Sequence, residues 1–129
     1  KQVHRYFNYL HVQNNDHFFI EQRTGNDIWH SLYQFPLIET ANNTDPIEII
    51  HHDRWSKWFK NINVQFTLYD EKFKHVLSHQ IIHARFFRVK ITSPEFKMPA
   101  GWIPIGYDEL ENYAVPRLID RFIPFIQNR

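Results

Sequence analysis

The sequence FKHVLSHQIIH (Phe73–His83) leads directly into ARFFRVKI (Ala84–Ile91), and this stretch decides the fold of the chain. Aromatic and β-branched residues dominate its second part, which predicts a buried strand from Ile81 to Ile91. The polar tripeptide LSH (Leu77–His79) interrupts the apolar residues just before that strand. We therefore predict that this tripeptide lies at the mouth of the strand.

Upstream, the sequence predicts a hairpin followed by a compact aromatic segment. Strand-forming residues mark Val3–Val12 and Phe18–Arg23, and the turn residues Asn14–Asp16 join them. The segment Ile28–Pro36 is rich in aromatic residues, which we interpret as a packed corner of the core rather than a platform for stacked bases. A short strand is predicted at Leu37–Glu39.

A helix is predicted after the polar loop that follows. Asp45 is a suitable N-cap and Pro46 suits the first helical position, and apolar periodicity continues to about Lys60. Beyond it, clean alternation from Val64 to Leu68 predicts a strand, and Asp70–Lys72 is predicted as a turn.

The last part of the chain is predicted to contain a long loop and a final helix. Three prolines and two glycines between Ser93 and Gly106 predict the loop. Val115 and Pro116 open the helix, whose apolar residues form one stripe, and Pro124 is expected to kink or end it. Strands mixed with a few helices, without regular βαβ alternation, indicate a single α+β domain over residues 1–129.

The composition is that of a folded domain, with 43% apolar and 17% aromatic residues. The chain has no cysteine, which excludes disulfides, thiolate zinc sites and an iron–sulfur cluster held by this chain. A formal net charge of +1 indicates that any nucleic acid is contacted through few phosphates. The sequence shows no signal peptide and no apolar run near about 18 residues, so we expect a soluble, intracellular protein. We also expect the protein to be monomeric.

Three segments, in order, carry a resemblance to a known family: IWHSLYQFP (Ile28–Pro36), LSH (Leu77–His79) and YAVPRLIDRF (Tyr113–Phe122). Together they resemble the C-terminal domain of MutY-type adenine DNA glycosylases, over about Arg5 to Phe122. The resemblance implies a Nudix-like fold, with a mixed or antiparallel sheet packed with two main helices. It also implies that the chain lacks Nudix catalysis and is a fragment of a longer enzyme.

The resemblance implies a role in base excision repair. In the family, a loop with the sequence Phe-Ser-His inspects 8-oxoguanine paired with adenine; the matching residues here are Leu77, Ser78 and His79, with leucine in place of phenylalanine. The implied partners are double-stranded DNA with an 8-oxoguanine:adenine pair and the catalytic N-terminal domain of the same polypeptide. That domain usually carries a 4Fe-4S cluster, whereas no cofactor is implied for the present chain. The implied location is the bacterial cytoplasm, at the nucleoid.

Ser78 has suitable chemistry for this contact. Oxidation of guanine turns N7 into a donor and adds O8 as an acceptor, and a hydroxyl offers one donor and two acceptor lone pairs. Such a contact discriminates by at most about 1–3 kcal/mol. The alternative is a turn serine bonded to its own backbone. His79 has two interpretations, a contact to the DNA backbone or a bond to a neighbouring carbonyl, and Leu77 would pack against bases without stacking.

Two other functions stay open. A working Nudix hydrolase needs the pattern Gly-x5-Glu-x7-Arg-Glu-x-x-Glu-Glu, whose clustered carboxylates hold magnesium. Six residues beyond the three glycines stand Ser31, Tyr107 and Asn112, none of them glutamate, so we expect this chain by itself to be no enzyme. The other function is a protein-interaction module, which large exposed apolar patches would indicate.

Charged residues around the tripeptide suggest no further site. His75, His79 and His83 recur every four residues, a spacing that favours a metal site on a helix but spans roughly 13 Å on a strand, too far for one ion. No metal is therefore expected. Arg85 falls on the face of the strand opposite Arg88 and Lys90, so the three form no single basic patch and are predicted to be solvated edge charges.

Overall fold

The computed structural model describes residues 2–127 and has the predicted α+β architecture. The strands are β1 (Val3–Asn14), β2 (His17–Gln22), β3 (Tyr33–Gln34), β4 (Leu37–Thr40), β5 (Val64–Val76), β6 (Gln80–Ile91) and β7 (Trp102–Ile105). The helices are α1 (Asp53–Phe59) and α2 (Arg117–Gln127), with 3₁₀ helices at Pro46–His51 and Tyr107–Asn112. None of the described helices is long and apolar enough to cross a membrane.

Seven strands of the described chain form one mixed sheet with the central order β3-β2-β1-β6-β5. β1 and β6 are parallel, whereas the other paired strands are antiparallel. On its other edge, β1 pairs with β4 through residues 6–9 and with β2 through residues 13–14 only. β2 and β4 therefore diverge from each other along β1, and a cleft lined by residues of both strands lies there.

The sheet carries an apolar cluster on each side, and each helix covers one of them. The cluster under α2 contains Phe35, Phe86 and Phe122, and the last two stack with ring centroids 3.7 Å apart. The cluster under α1 contains Phe87 and Trp55. Burial of each such side chain stabilises the fold by about 1.5–3 kcal/mol. The aromatic segment before β4 belongs to the first cluster, which confirms its interpretation as a packed corner.

The turn predicted at Asp70–Lys72 is wrong, because β5 continues through it. The register with β6 shifts between Leu68 and Lys72, so a β-bulge accommodates these polar residues. Beyond the bulge, β6 offers ladder partners to β5 as far as Ile81, which lies opposite Val76. The pairing with a buried central strand therefore outweighs the local turn preference.

The predicted loop between Ser93 and Gly106 contains a strand. β7 pairs with β2, and Pro104 lies opposite Phe19 in that ladder. In the described sheet, β7 pairs on one side only, so the Pro104 nitrogen, which has no hydrogen to donate, can lie on the unpaired side of the strand. Because proline is rare inside strands, the sequence pattern predicted a loop here instead of this edge strand.

The single helix predicted from Asp45 to about Lys60 is split in two. After the 3₁₀ helix Pro46–His51, His52 is extended with ψ 146° and caps α1, because its Nδ1 accepts the Arg54 N–H at 3.1 Å. The side chain of Asp45 makes no capping hydrogen bond. The second helix therefore has an N-cap of its own.

α2 extends past Pro124 to Gln127, although the proline predicted a kink or an end. Phe122 and Ile126 are buried on either side of the proline along the helix. Their packing against the sheet offsets the loss of one backbone hydrogen bond.

Candidate nucleic-acid interface

β5 and β6 form a hairpin whose tip is the loop Ser78-His79. The Leu77 N–H donates to the Gln80 carbonyl at 2.8 Å and closes the ladder beneath it. Ser78 and His79 are exposed, whereas Leu77 is half-buried and packs against the apolar cluster under α2. The structure thus brings the three predicted contact residues together at one exposed tip, where part of the Leu77 side chain is buried against the core.

The tip is fastened to the start of β1. The Val3 N–H donates to the His79 carbonyl at 3.0 Å, and Gln2 Nε2 donates to the Leu77 carbonyl at 3.0 Å. Among residues 2–127, neither the Ser78 hydroxyl nor the His79 ring has a hydrogen-bond partner. The serine is therefore not bonded to its own backbone, and both side chains are available to a ligand.

A stack of aromatic rings lies beside the hairpin tip. The His83 ring lies between His4 and Tyr6, with centroid distances of 5.0 Å and 4.9 Å, and its Nε2 is 2.8 Å from Nδ1 of His4. Burial lowers the pKa of His83, and positive charge on His4 and Lys74 lowers it further. Since a hydrogen bond between two imidazoles needs one acceptor nitrogen, at least one of the rings is neutral. In the described part of the chain, no three His, Asp or Glu side chains lie close enough to hold a metal ion.

Arg85 is not the solvated edge charge that the sequence predicts. It is only 8% exposed; its Nε donates to Asn8 Oδ1 at 2.6 Å and its Nη2 to Thr44 Oγ1 at 3.3 Å. Burial lowers the pKa of this guanidinium, and Asp45 partly counteracts that effect. The covering residues come from β1 and from the loop after β4, so alternation along β6 alone does not reveal them.

Another concave surface, with a volume of about 470 Å³, lies between β2 and β4. It is lined by Glu21, Gln22, Arg23, Thr24, Asp27, Gln34, Leu37, Glu39, His52 and Arg54. α1 contributes Arg54, whose Nη1 donates to the Leu37 carbonyl at 3.0 Å and whose guanidinium lies 5.9 Å from the ring centroid of Trp58. Within the described residues, α1 thus presents a cation and no carboxylate to this cleft.

Arginines hold two of the carboxylates of the cleft, Asp27 and Glu39. Arg5 donates to both oxygens of Asp27 at 2.9 Å and to both oxygens of Glu39 at 2.8 Å, and Arg23 donates to Asp27 at 3.0 Å. The hydrogen bonds from Arg5 lower the pKa of Asp27 to about 2. Burial raises the pKa of Glu21. Arginines of the protein itself therefore compensate the negative charges of Asp27 and Glu39.

Comparison with models of protein families shows which family the chain belongs to. A model described as the NUDIX domain matches residues 8–124. The chain belongs to the NUDIX domain family. Comparison with curated protein sequences gave no match.

Solved structures share the fold of this NUDIX domain at low sequence identity. A MutT protein from Methanosarcina mazei superposes with a TM-score of 0.69 at 10% identity, covering 99% of this chain and 96% of that one. The C-terminal domain of mouse MUTYH, in complex with human PCNA, gives 0.66 at 15%, covering 96% and 88%. The E. coli ORF135 protein gives 0.63 at 12%, covering 99% and 94%. At these identities the likeness shows the fold alone.

This NUDIX domain has few acidic residues on its helices beside the cleft. In the described 3₁₀ helix Pro46–His51 and in α1, the acidic residues are Glu48 and Asp53, and neither lines the cleft. A hydrolase of this fold needs a cluster of glutamates for magnesium. The Arg5 pairs and the burial of Arg85 were not predicted from the sequence, because they depend on residues distant in the chain.

Proposed function

We propose that this NUDIX domain is the lesion-reading part of an adenine DNA glycosylase and contacts 8-oxoguanine paired with adenine in double-stranded DNA. The observation that carries the proposal is the exposed hairpin tip, where the Ser78 hydroxyl has no partner within residues 2–127. The carbonyls on both sides of Ser78 are bonded to the start of β1. A loop held in this way loses little conformational entropy when it binds a ligand.

Each residue of the tip has a role in this proposal. The Ser78 hydroxyl accepts from N7–H of the oxidised base or donates to O8, groups that lie on one edge of 8-oxoguanine. His79, exposed beside it, contacts the DNA backbone. Leu77 supports the loop from below and packs its exposed part alongside the bases.

The domain by itself catalyses no reaction in this proposal. Excision of adenine belongs to an N-terminal catalytic domain of the same polypeptide, which would carry the 4Fe-4S cluster in the bacterial cytoplasm. The pairing of Asp27 and Glu39 with Arg5 supports this division of labour, because those carboxylates are already engaged. The mouse MUTYH domain of the same fold is in complex with human PCNA, which favours a protein partner as an additional role.

The test is an amide-resolved NMR titration with two matched duplexes, one containing 8-oxoguanine:adenine and the other guanine:adenine. We expect shifts at residues 77–80 with the oxidised duplex and smaller or more diffuse shifts with the other. Ser78→Ala should reduce the affinity ratio of the two duplexes by roughly 5- to 150-fold, because one base-edge contact is removed.

Ser56→Ala is the matched control, since Ser56 is an exposed serine on α1, away from the hairpin tip. It should leave the affinity ratio unchanged. An affinity ratio that Ser78→Ala leaves at its wild-type value would rule out the proposed role of this hydroxyl.

The alternative is a nucleotide hydrolase, which the 470 Å³ cleft and its carboxylates favour within a NUDIX domain. Hydrolysis of 8-oxo-dGTP by this chain in the presence of magnesium would support it. The cation that α1 presents to the cleft argues against it, since Arg54 repels a divalent metal ion.

A further inference from the structure

A small basic pocket lies on the sheet beside the hairpin tip. Its volume is about 220 Å³. It is lined by Tyr6, Asn43, Lys72, Phe73, Lys74, His83, Ala84 and Arg85. Three of these residues are cationic and, among the described residues of the lining, none is acidic, although the whole chain has a net charge of only +1. The cleft between β2 and β4 differs, because its lining combines carboxylates with arginines.

Arg85 is a buried cation without an ion-pair partner. Its hydrogen bonds go to Asn8 and Thr44, which are both neutral. No carboxylate of residues 2–127 lies within ion-pair distance of the Arg85 guanidinium. Its Nη1 atom has no hydrogen-bond acceptor among these residues and is accessible to solvent. Burial of a charge is costly unless the charge is paired. An anion in the pocket would pair with this guanidinium.

The pocket lies at a fixed distance from the hairpin tip. Lys74 pairs with His83 three ladder positions below the pair Leu77/Gln80, which corresponds to about 10 Å along the strands. Phosphates on one DNA strand follow each other every ~3.4 Å along the helix axis. For a DNA helix axis parallel to β5 and β6, this separation corresponds to about three nucleotides from a base held at Ser78.

We propose that this pocket binds a backbone phosphate of the DNA strand whose base contacts Ser78, with Arg85, Lys72 and Lys74 holding the phosphate. The assignment of this phosphate to the DNA strand that contacts Ser78 rests on the proposed function, whereas the binding of a phosphate in the pocket does not. A volume of 220 Å³ lies below the ~300–1,000 Å³ of sites for whole small molecules, which favours a phosphate group over a base. A phosphate contact carries no sequence information, so this site supplies affinity and orientation.

The test compares Lys72→Gln/Lys74→Gln with the wild-type chain by fluorescence anisotropy, using the 8-oxoguanine:adenine and guanine:adenine duplexes over a range of salt concentrations. We expect both duplexes to bind roughly tenfold more weakly, and the slope of log Kd against log salt to fall by about 0.9, because the contact to one phosphate is lost. Lys57→Gln/Lys60→Gln, at the end of α1, is the control and should change neither quantity.

Three results would overturn the proposal: no binding of either duplex by the wild-type chain at low salt, no change in the Lys72/Lys74 variant, or an equal loss in the control. A free phosphate as the true ligand would appear as saturable NMR shifts at Lys74 and His83 with inorganic phosphate, while the Lys72/Lys74 variant binds DNA normally. The lesion-reading role fails separately. In that case the wild-type chain binds both duplexes equally, and the Lys72/Lys74 variant still weakens both.

Discussion

At the scale of single residues, Arg5 joins segments that are distant in sequence. From β1 it donates to Asp27 in the loop after β2, to Glu39 on β4 and to Gln80 at the start of β6. The hydrogen bonds to Glu39 and Asp27 raise the pKa of Arg5 further above its usual value. The planar guanidinium suits this role, because it meets two carboxylates at once with paired N–H groups.

Arg5→Lys should therefore lower the free energy of unfolding by about 1 kcal/mol, although the charge is kept, because an ammonium group cannot form both paired contacts. Urea denaturation at neutral pH measures this difference. Arg117→Lys, at an exposed position at the start of α2, is the matched control and should have no effect. Equal stability of the two variants would show that the hydrogen bonds of Arg5 contribute no net stability.

At the scale of elements, α2 holds its shape through packing rather than through its sequence. Pro124 removes a backbone donor in the last turns of the helix, yet Phe122 and Ile126 remain buried in the same cluster. Phe122 stacks on Phe86 of β6 and meets Phe35 edge to face. Tertiary contact on one face of the helix thus keeps α2 helical past Pro124.

Pro124→Ala should raise the free energy of unfolding by about 1–3 kcal/mol, because alanine restores the backbone donor inside the helix. Thermal and urea denaturation give the value. Pro94→Ala, in the loop after β6, should instead be neutral or slightly destabilising, since it only frees the unfolded chain. A loss of stability in Pro124→Ala would mean that the proline ring itself packs favourably.

At the scale of the whole molecule, stability should fall with acidification in two separate ranges of pH. The pKa of His83 is lowered in the folded state, so the unfolded chain binds the proton first and stability falls as the pH drops through about 6.5. The pKa of Asp27 is lowered from 3.8 to about 2, so its contribution is full above 3.8 and is lost as the pH falls towards 2.

Urea midpoints measured between about pH 8 and 2 test this assignment. His83→Gln should flatten the decrease around neutral pH and leave the acidic one, whereas Asp27→Asn should flatten only the acidic decrease. A profile that His83→Gln leaves unchanged near neutrality would assign that decrease to another histidine.

Much of the fold was predictable because its signals are local. Aromatic and β-branched residues in β1, β2 and β6, the alternation in β5 and the apolar stripe of α2 record how each element is buried, and that requirement acts within a few residues. The exposure of Ser78 and His79 was predictable for the same reason, since a polar step between two strands marks a hairpin tip. The bulge in β5, the edge strand β7 and the split before α1 were missed, because a neighbouring strand or a side-chain cap overrides local propensity there.

The sequence by itself determined an α+β domain without cysteine chemistry, with an aromatic core and a serine loop before a buried strand. Only the tertiary structure decided what surrounds that loop. Parallel pairing of β1 with β6 places Val3 against His79 and Asn8 beside Arg85, across separations of more than 70 residues. Which cations become buried, and which carboxylates find an arginine, depends on such pairings. Side-chain periodicity along a single strand reports its own two faces and contains no information about the strand that lies next to it.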